Sequence, residues 1–387
     1  MKVYKKAILP PGFKANGIAC GLKKSGRLDL ALFYSEAPAK AACLFTVNKI
    51  QAAPIKVNRK FLRKGRDFRA VIANSGNANC FTGPQGLRDA EDTAVILAKL
   101  LGIKKEKILL ASTGIIGKKM AMRKIRQGLP QLVSGLSRQG IAAAARAIFT
   151  TDTFSKEATA KISIGGKPVL VCGVAKGAGM IAPDMVYPER SRGATMLCFI
   201  FTDANISSGA LKRALEAAAR QSFHCITVDG CMSTNDSVML LANGAAKNTL
   251  INGKGKNFAL FSEALEKVSL ALAKMIVSDA EGASKFIQVK VAQAPNFAEA
   301  RKAALAIANS NLFKTAVYGE NPNFGRIAAA VGASGIRVSE ENLKIKLGPL
   351  KRKIIDVTVS LGQGDFSCTV YTADLAPRYI KINAEYS

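Results

Sequence analysis

Strand-like and helix-like segments alternate along almost the whole chain of 387 residues. Short runs rich in β-branched and aromatic residues predict strands, and longer Ala- and Leu-rich stretches with helical spacing predict helices. This alternation predicts a mixed α/β (α+β) protein. The predicted strands cover residues 70–73, 168–174, 197–202, 238–242, 286–292 and 354–360. The predicted helices cover residues 89–101, 208–223, 262–277 and 296–308, and Asn296 is the expected N-cap of the last helix.

The length and the cysteine and histidine content limit the class of protein. A chain of this length exceeds the usual size of one hydrophobic core, so we expect two domains or one two-lobed unit. The 8 cysteines form no Cys-x-x-Cys pair and there is 1 histidine, which argues against zinc, iron–sulfur and histidine-centred metal sites. Scattered cysteines fit a reducing cytosol. With no apolar run of membrane-spanning length and no signal-peptide pattern, we expect a cytoplasmic protein.

The formal net charge of +29 raises the question of an acidic partner. Nucleic-acid binding by such a chain usually combines a basic stripe with interleaved aromatic residues. Here aromatic residues make up 6% of the chain, tryptophan is absent, and the lysines are dispersed over many segments. The charge therefore favours attraction of acidic metabolites, and nucleic-acid binding is the weaker alternative.

One threonine lies in a context that suits self-cleavage. A glycine-rich turn at residues 176–180 precedes Ala194 and Thr195, and an apolar strand-like run follows at residues 197–202. Attack of the Thr195 hydroxyl on the Ala194 carbonyl, acyl shift from nitrogen to oxygen and hydrolysis would release Thr195 as a new N-terminus. Its α-amino group, with an unperturbed pKa of about 7.7–8.0, would then serve as base for its own hydroxyl. The alternative is that these residues only begin a buried strand.

Four segments that combine glycine with polar side chains interrupt the apolar background. In the second of them, the Thr113 hydroxyl beside the Gly114 backbone N–H suits stabilisation of an oxyanion. Taken singly, a segment of this kind is more often an ordinary turn than a functional site. The four segments cover residues 74–79, 112–117, 227–236 and 318–326.

The order and spelling of these segments resemble the ornithine acetyltransferase family, also called glutamate N-acetyltransferase, whose members mature by self-cleavage. The resemblance extends nearly from end to end. The matching motifs lie at residues 11–17, 29–32, 45–48, 74–79, 112–114, 150–153, 176–180, 194–197, 227–230, 233–236, 279–282, 321–327 and 382–386.

The resemblance implies a two-lobed, layered αββα architecture of the N-terminal-nucleophile type, shared by ornithine acetyltransferases and related aminopeptidases. It implies cleavage between Ala194 and Thr195 into an α subunit of residues 1–194 and a β subunit of residues 195–387. Thr195 would be the nucleophile, and Thr113 and Gly114 the oxyanion hole. The implied substrate contacts are Thr150, Lys176, Thr195, Glu281, Asn383 and, as a substitute for the family's closing hydroxyl residue, Ser387.

Two of these assignments also follow from side-chain chemistry. Lys176 offers a cation that suits a substrate carboxylate. Glu281, next to Gly282, suits an α-ammonium group, although an acid before Gly-Ala-Ser could also be a helix N-cap.

The function implied by the resemblance is transfer of acetyl from N2-acetyl-L-ornithine to L-glutamate through an acetyl-Thr195 intermediate, in the cyclic pathway of arginine biosynthesis. Such a cycle needs no metal and no bound cofactor, and acetyl-CoA is a further candidate co-substrate. The implied assembly is an α2β2 heterotetramer that binds small molecules and neither nucleic acid nor membrane. The alternatives are a self-cleaving aminopeptidase or amidohydrolase, and a catalytically stalled nucleic-acid-binding protein.

The chain departs from the family pattern at two places besides its C-terminus. Residues 186–193 form an eight-residue insertion immediately upstream of Ala194, and Cys231 stands where the family usually carries an acid. Because the insertion lies wholly upstream of the bond, we expect cleavage to occur still between Ala194 and Thr195.

Overall fold

The computed structural model describes residues 1–65, 67–186 and 196–385. Within these ranges the strands are β1 Val3–Tyr4, β2 Phe13–Ile18, β3 Leu30–Thr46, β4 Phe68–Asn77, β5 Ile108–Ile115, β6 Lys156–Ile164, β7 Lys167–Lys176, β8 Met185–Val186, β9 Leu197–Thr202, β10 Ser237–Ala242, β11 Phe286–Ala294, β12 Lys344–Leu347, β13 Ile354–Ser360 and β14 Phe366–Ala373. The α-helices of the same ranges are α1 Ala53–Lys64, α2 Gly83–Leu101, α3 Met122–Ser134, α4 Ile141–Ala147, α5 Ser208–Gln221, α6 Gly255–Ser278, α7 Phe297–Ala308, α8 Asn311–Tyr318, α9 Phe324–Gly332 and α10 Pro377–Ala384.

The predicted mixed α/β class is confirmed, because every predicted strand and helix is present. β9 and β13 have the bounds read from the sequence. Asn296 is the N-cap of α7, and its side-chain oxygen accepts a hydrogen bond from the Glu299 backbone N–H at 2.9 Å.

The chain divides into two compact units, in agreement with the expected two-lobed organisation. Unit 1 comprises Met1–Gly177, Asp184–Gln221 and Met232–Leu272. It contains a ten-stranded sheet whose main order is β1-β6-β7-β9-β10-β3-β4-β5, with β2 and β8 also paired to β3. β9 and β10 are parallel neighbours, as are β4 and β5, and the other pairs are antiparallel.

The middle of this sheet is buried on both faces. Every residue of β9 and β10 is buried, which explains why both strands are almost continuously apolar rather than alternating. Phe199 and Phe201 of β9 pack against Phe33 of β3 with ring centroids 5.2 and 5.1 Å apart. Burial of these rings anchors the strand that begins two residues after Thr195.

Unit 2 comprises Ala178–Pro183, Ser222–Cys231 and the chain from Ala273 onwards. Its sheet has the order β12-β13-β11-β14, in which β11 is parallel to β13 and antiparallel to β14. The alanine-rich face of α7 packs on β11 and β14 and completes a separate hydrophobic core.

The predicted subunit boundary between Ala194 and Thr195 lies outside the described residues and stays a prediction. Unit 1 contains chain from both sides of that boundary. Among the described residues, no helix has the length and apolarity that crossing a membrane requires.

Candidate active site

Two of the polar, glycine-containing segments meet at one edge of the unit 1 sheet. β4 and β5 are parallel, so their carboxyl ends lie side by side. Ser75 is paired with Thr113, and Gly76 with Gly114. Residues 74–79 and 112–117 are therefore neighbours across this edge.

Gly114 is a position that no other residue can occupy without moving the backbone. Its φ of +132° lies outside the regions that side chains favour. A Cβ atom there would lie 2.5 Å from the carbonyl carbon of Gly76 and 2.6 Å from the backbone nitrogen of Asn77. The absence of a side chain thus brings β4 and β5 together at the predicted oxyanion turn.

Thr113 presents a hydroxyl group that is not consumed by the fold. The residue is 5% exposed. Its side chain forms no hydrogen bond to any of the residues that the structure describes, although its neighbour Ser112 donates to the Asn74 side-chain oxygen at 2.6 Å. Such a hydroxyl, on a residue that is otherwise buried, is suited to donate to an oxyanion that forms only during a reaction.

Thr150 and Lys176, both predicted substrate contacts, are brought together in unit 1. The Lys176 ammonium donates to the Thr150 hydroxyl oxygen at 2.8 Å. Lys176 is 4% exposed, at the end of β7. The pair therefore combines a fixed cation with a hydroxyl group at a single place.

Asp152 contacts both Thr150 and Lys176. It accepts hydrogen bonds from the Thr150 N–H at 2.9 Å, the Gly177 N–H at 2.7 Å and the Lys156 ammonium at 2.7 Å, and its second oxygen lies 3.8 Å from the Lys176 nitrogen. Although burial opposes ionisation, the charges of Lys176 and Lys156 hold the pKa of Asp152 well below its ordinary value. Asp152 is consequently a carboxylate that fixes both predicted contacts.

A cavity of about 780 Å³ opens beside Thr150, within the usual range for small-molecule sites. Its lining includes the cationic side chains of Lys23, Arg27 and Arg146 together with Thr150 and Asp152. Burial lowers the pKa of Lys23 to about 8, against the opposing charges of Asp29 and Asp152. This lining suits an acidic metabolite.

We predict that Asp152→Asn lowers the free energy of unfolding by about 3–5 kcal/mol, since it removes a counter-charge that two buried lysines share. The lowered pKa means that the stabilisation by Asp152 is complete above its unfolded-state pKa of about 3.9 and is lost as the pH falls further. The difference between wild type and variant should accordingly be constant near pH 7 and shrink below about pH 4. Urea titrations at several pH values measure it.

Asp203→Asn is the matched control for this prediction. Asp203 is also a buried carboxylate of unit 1, and it accepts a hydrogen bond from the Leu170 N–H at 2.8 Å. Burial raises the pKa of Asp203, so neutralising it should leave the stability nearly unchanged at pH 7. Equal losses in both variants would mean that the lysines contribute nothing specific at Asp152.

Glu281 and Asn383 come together in unit 2. The Asn383 amide donates to the Glu281 carboxylate at 2.9 Å and to the Tyr379 carbonyl at 3.0 Å. The next residue, Gly282, has a φ of +70°, and a Cβ atom there would lie 2.4 Å from the Tyr379 backbone nitrogen. The N-cap interpretation of Glu281 is wrong, because a turn and then β11 follow it.

The third polar segment places a carboxylate among backbone donors of unit 2. Asp229 accepts hydrogen bonds from the backbone N–H groups of Met180 and Ile181 at 2.6 and 3.0 Å, and from the Tyr379 hydroxyl at 3.2 Å. Cys231, the residue that replaces an acid of the family pattern, donates its backbone N–H to Asp229 at 3.1 Å. Asp229 thus ties the glycine-rich turn to α10.

The fourth polar segment is a helix start. Asn323 caps α9 by accepting a hydrogen bond from the Arg326 N–H at 3.3 Å. The ordinary-turn interpretation therefore accounts for this segment.

Comparison with known proteins places these features in a family. The sequence matches the ArgJ family model over residues 14–352. The arginine biosynthesis bifunctional protein ArgJ of Geobacter sulfurreducens is 43% identical over an alignment of 396 positions, gaps included, which covers 97% of this chain and 98% of the relative. The chain belongs to the ArgJ family. The resemblance read from the sequence motifs is confirmed.

Two solved structures of ArgJ relatives are also similar. The arginine biosynthesis bifunctional protein ArgJ of Bacillus halodurans is 38% identical, with a TM-score of 0.46, over 48% of this chain and 98% of that chain. The ornithine acetyltransferase of Mycobacterium tuberculosis, solved in complex with ornithine, is 37% identical, with a TM-score of 0.44, over 48% of this chain and 99% of that chain.

Three residues predicted for this ArgJ-family site, Ala194, Thr195 and Ser387, lie outside the described residues, and their roles stay predictions. The chain is described up to Val186, the first residue of the insertion, which pairs with Phe45 of β3. It is described again from Met196, whose carbonyl accepts a hydrogen bond from the Ser237 N–H at 2.8 Å.

Two acidic residues of the site received no role from the sequence. Asp152 was visible only as part of the motif at residues 150–153. Asp236 is fully buried, and neither carboxylate oxygen has a hydrogen-bond partner among the residues described. Burial raises the pKa of Asp236 well above its ordinary value, against the lowering effect of the Lys176 charge. Asp236 was visible only as the last residue of the polar segment 227–236 and of the motif at residues 233–236.

Proposed function

We propose that this chain transfers an acetyl group from N2-acetyl-L-ornithine to L-glutamate in arginine biosynthesis. The observation that carries the proposal is the hydroxyl of the buried residue Thr113 beside Gly114, a donor pair suited to an acyl-transfer oxyanion. Membership of the ArgJ family supports the substrates, since relatives are named for arginine biosynthesis and one is an ornithine acetyltransferase holding ornithine.

The proposed cycle is a double displacement on Thr195. The Thr195 hydroxyl attacks the acetyl carbonyl, and its proton passes through the α-amino group to the departing ornithine amine. The Thr113 hydroxyl and the Gly114 N–H donate to the oxyanion formed in this step. The glutamate amine then attacks the acetyl-threonine ester, and the proton it loses returns to the Thr195 hydroxyl.

The substrate contacts follow from charge. Lys176, oriented by Thr150 and Asp152, is positioned to bind a substrate carboxylate. Glu281 is the proposed acceptor of a substrate ammonium group, and Asn383 holds its carboxylate.

The remaining properties of the enzyme belong to the same proposal. We infer a cytoplasmic α2β2 assembly of cleaved chains that acts without a metal or a bound cofactor. Acetyl-CoA is proposed as a second acetyl donor. Incubation of the protein with acetyl-CoA and glutamate, without acetylornithine, tests the last point through the release of free CoA.

The main reaction is tested by incubating the protein with N-acetylornithine and glutamate and measuring the amounts of ornithine and N-acetylglutamate formed. Equal amounts of the two products are expected, with little ornithine released when glutamate is omitted. Release of ornithine and acetate at the same rate without glutamate would instead favour a hydrolase, because water would then be the second acceptor.

We predict that the purified protein consists of two fragments. Because self-cleavage hydrolyses one peptide bond, the masses of the two fragments should add up to that of the intact chain plus one water molecule. Intact mass and N-terminal sequencing should give a second fragment that begins at Thr195. A variant lacking residues 186–193 is the matched control for the insertion. If only this shortened variant is cleaved, the insertion disables cleavage and the prediction is wrong.

A further inference from the structure

Asn235 makes an unusual set of contacts for a residue to which the proposed chemistry assigns no role. It lies in unit 1, two residues before β10, and is 4% exposed. Its side-chain nitrogen donates to the Ala78 carbonyl at 2.6 Å and to the Ser112 carbonyl at 2.8 Å. Its side-chain oxygen accepts from the Thr234 hydroxyl at 2.5 Å. Both donors of the amide group are therefore used.

The Ser112 carbonyl belongs to the oxyanion turn at residues 112–117, and the Ala78 carbonyl lies in the segment that follows β4. The Ser112 carbonyl is part of the peptide group that contains the Thr113 nitrogen, so a bond to it restrains the plane from which Thr113 projects. Ala78 faces the same turn, because its N–H donates to the Ile115 carbonyl at 3.0 Å. Asn235 thus bridges the carboxyl ends of β4 and β5 on either side of Thr113 and Gly114.

The backbone after Asn235 reaches the chain beside the predicted nucleophile. The N–H of Ser237 donates to the Met196 carbonyl at 2.8 Å, and Ser237 is paired with Leu197. On the other side, the Thr46 N–H donates to the Asp236 carbonyl at 3.0 Å. Within two residues, the chain therefore contacts both the oxyanion turn and the residue that follows Thr195.

We propose that Asn235 is a positioning residue, whose amide group holds the Thr113–Gly114 donors in place relative to β9, which begins at Leu197. This inference rests on the proposed acyl transfer. Oxyanion donors act only within a few tenths of an ångström of their working position, and a displacement of about 1 Å can cost about 10² in rate. Without the hydrogen bonds from Asn235 to the Ala78 and Ser112 carbonyls, the Thr113 and Gly114 donors are no longer held in that position.

Asn58 of α1 provides a matched control, because its side chain binds the backbone of β5, the strand that carries Ser112. It is fully buried in unit 1, donates to the Leu110 carbonyl at 2.7 Å and accepts from the Leu110 N–H at 2.8 Å. It therefore anchors β5 two residues upstream of Ser112 with the same number of backbone bonds. Asn58→Ala and Asn235→Ala should destabilise the fold to similar degrees.

The test compares kcat, KM and Tm for the two alanine variants of the full-length protein. Asn235→Ala is expected to lower kcat by about 10- to 100-fold and to change KM by less than about 2-fold. Asn58→Ala should lower Tm similarly but keep kcat within about 2-fold. A wild-type kcat in Asn235→Ala, or equal losses of kcat in both variants, would overturn the inference.

A milder variant covers the case in which Asn235→Ala does not fold. Thr234→Val removes the hydroxyl that orients the Asn235 amide and keeps the amide itself. It should lower kcat by a few-fold at unchanged KM, and a kcat equal to wild type in this folded variant would count against the inference.

A second substrate separates this inference from the proposed function. The rate of acyl-enzyme formation with p-nitrophenyl acetate measures attack and oxyanion stabilisation without ornithine or glutamate. If the wild-type protein forms the acyl-enzyme but does not transfer acetyl from acetylornithine to glutamate, the proposed substrates are wrong. The inference about Asn235 is then tested by the acylation rate, which should be lower in Asn235→Ala than in wild type. If wild type does neither, both proposals fail.

Discussion

Thr195→Ala is expected to yield a full-length, folded chain without acetyl-transfer activity. The same side chain supplies the hydroxyl that cleaves the chain and the one that attacks the substrate, and cleavage creates the α-amino group that serves as base. Alanine has no hydroxyl, so the variant can neither cleave the chain nor attack the substrate, and without cleavage the α-amino group is not formed. A denaturing gel, intact mass and a transfer assay with acetylornithine and glutamate measure the result.

Thr195→Ser is the control, because serine keeps a hydroxyl and, after cleavage, an α-amino group. This variant should still be cleaved and should keep measurable transfer. Wild-type transfer by Thr195→Ala, or a fragment starting at position 195 in that variant, would refute the mechanism.

Thr113→Ala is expected to lower kcat by about 10²–10³ with little change in KM, since an oxyanion donor acts mainly in the transition state. The free energy of unfolding should change little, because the Thr113 hydroxyl forms no hydrogen bond to any of the described residues. Steady-state kinetics together with a urea titration test both parts.

Thr113→Ser preserves the hydroxyl and should retain most of the activity. If Thr113→Ala changes only KM, then Thr113 positions substrate and is no part of an oxyanion hole. If it instead lowers stability as strongly as activity, its role lies in supporting the turn.

Local sequence predicted the presence of elements better than their ends. α2 begins at Gly83, with proline in its first turn, six residues before the predicted start. Proline suits this position because the first helical N–H groups have no acceptor in the helix. The sequence predicts a helix start at Ser262, but this residue lies within α6, with its hydroxyl oxygen buried. Periodicity reports a buried face, whereas ends depend on individual capping groups.

The longest strand escaped prediction altogether. β3 covers 17 residues, and its middle contains Pro38 among alanines, a composition that disfavours a strand. Its pairing with β4 shifts register between Tyr34 and Ala39. The shift in register accommodates Pro38, and the remainder of β3 is stabilised by pairing with β2, β4, β8 and β10. Such partners come from distant parts of the chain and leave no local signal.

Local sequence is enough to predict the buried central strands, the polar turns and the residue types at the candidate site. Apolar runs such as β9 indicate burial directly, and glycine among polar residues indicates a turn. The carboxylate that orients Lys176 and the amide that binds the Ser112 carbonyl are identified by contacts that form only in the folded chain. Asn235 and Ser112 are 123 residues apart. A buried polar group must find its partner wherever the fold brings one within about 3 Å, and that choice depends on how distant strands pair.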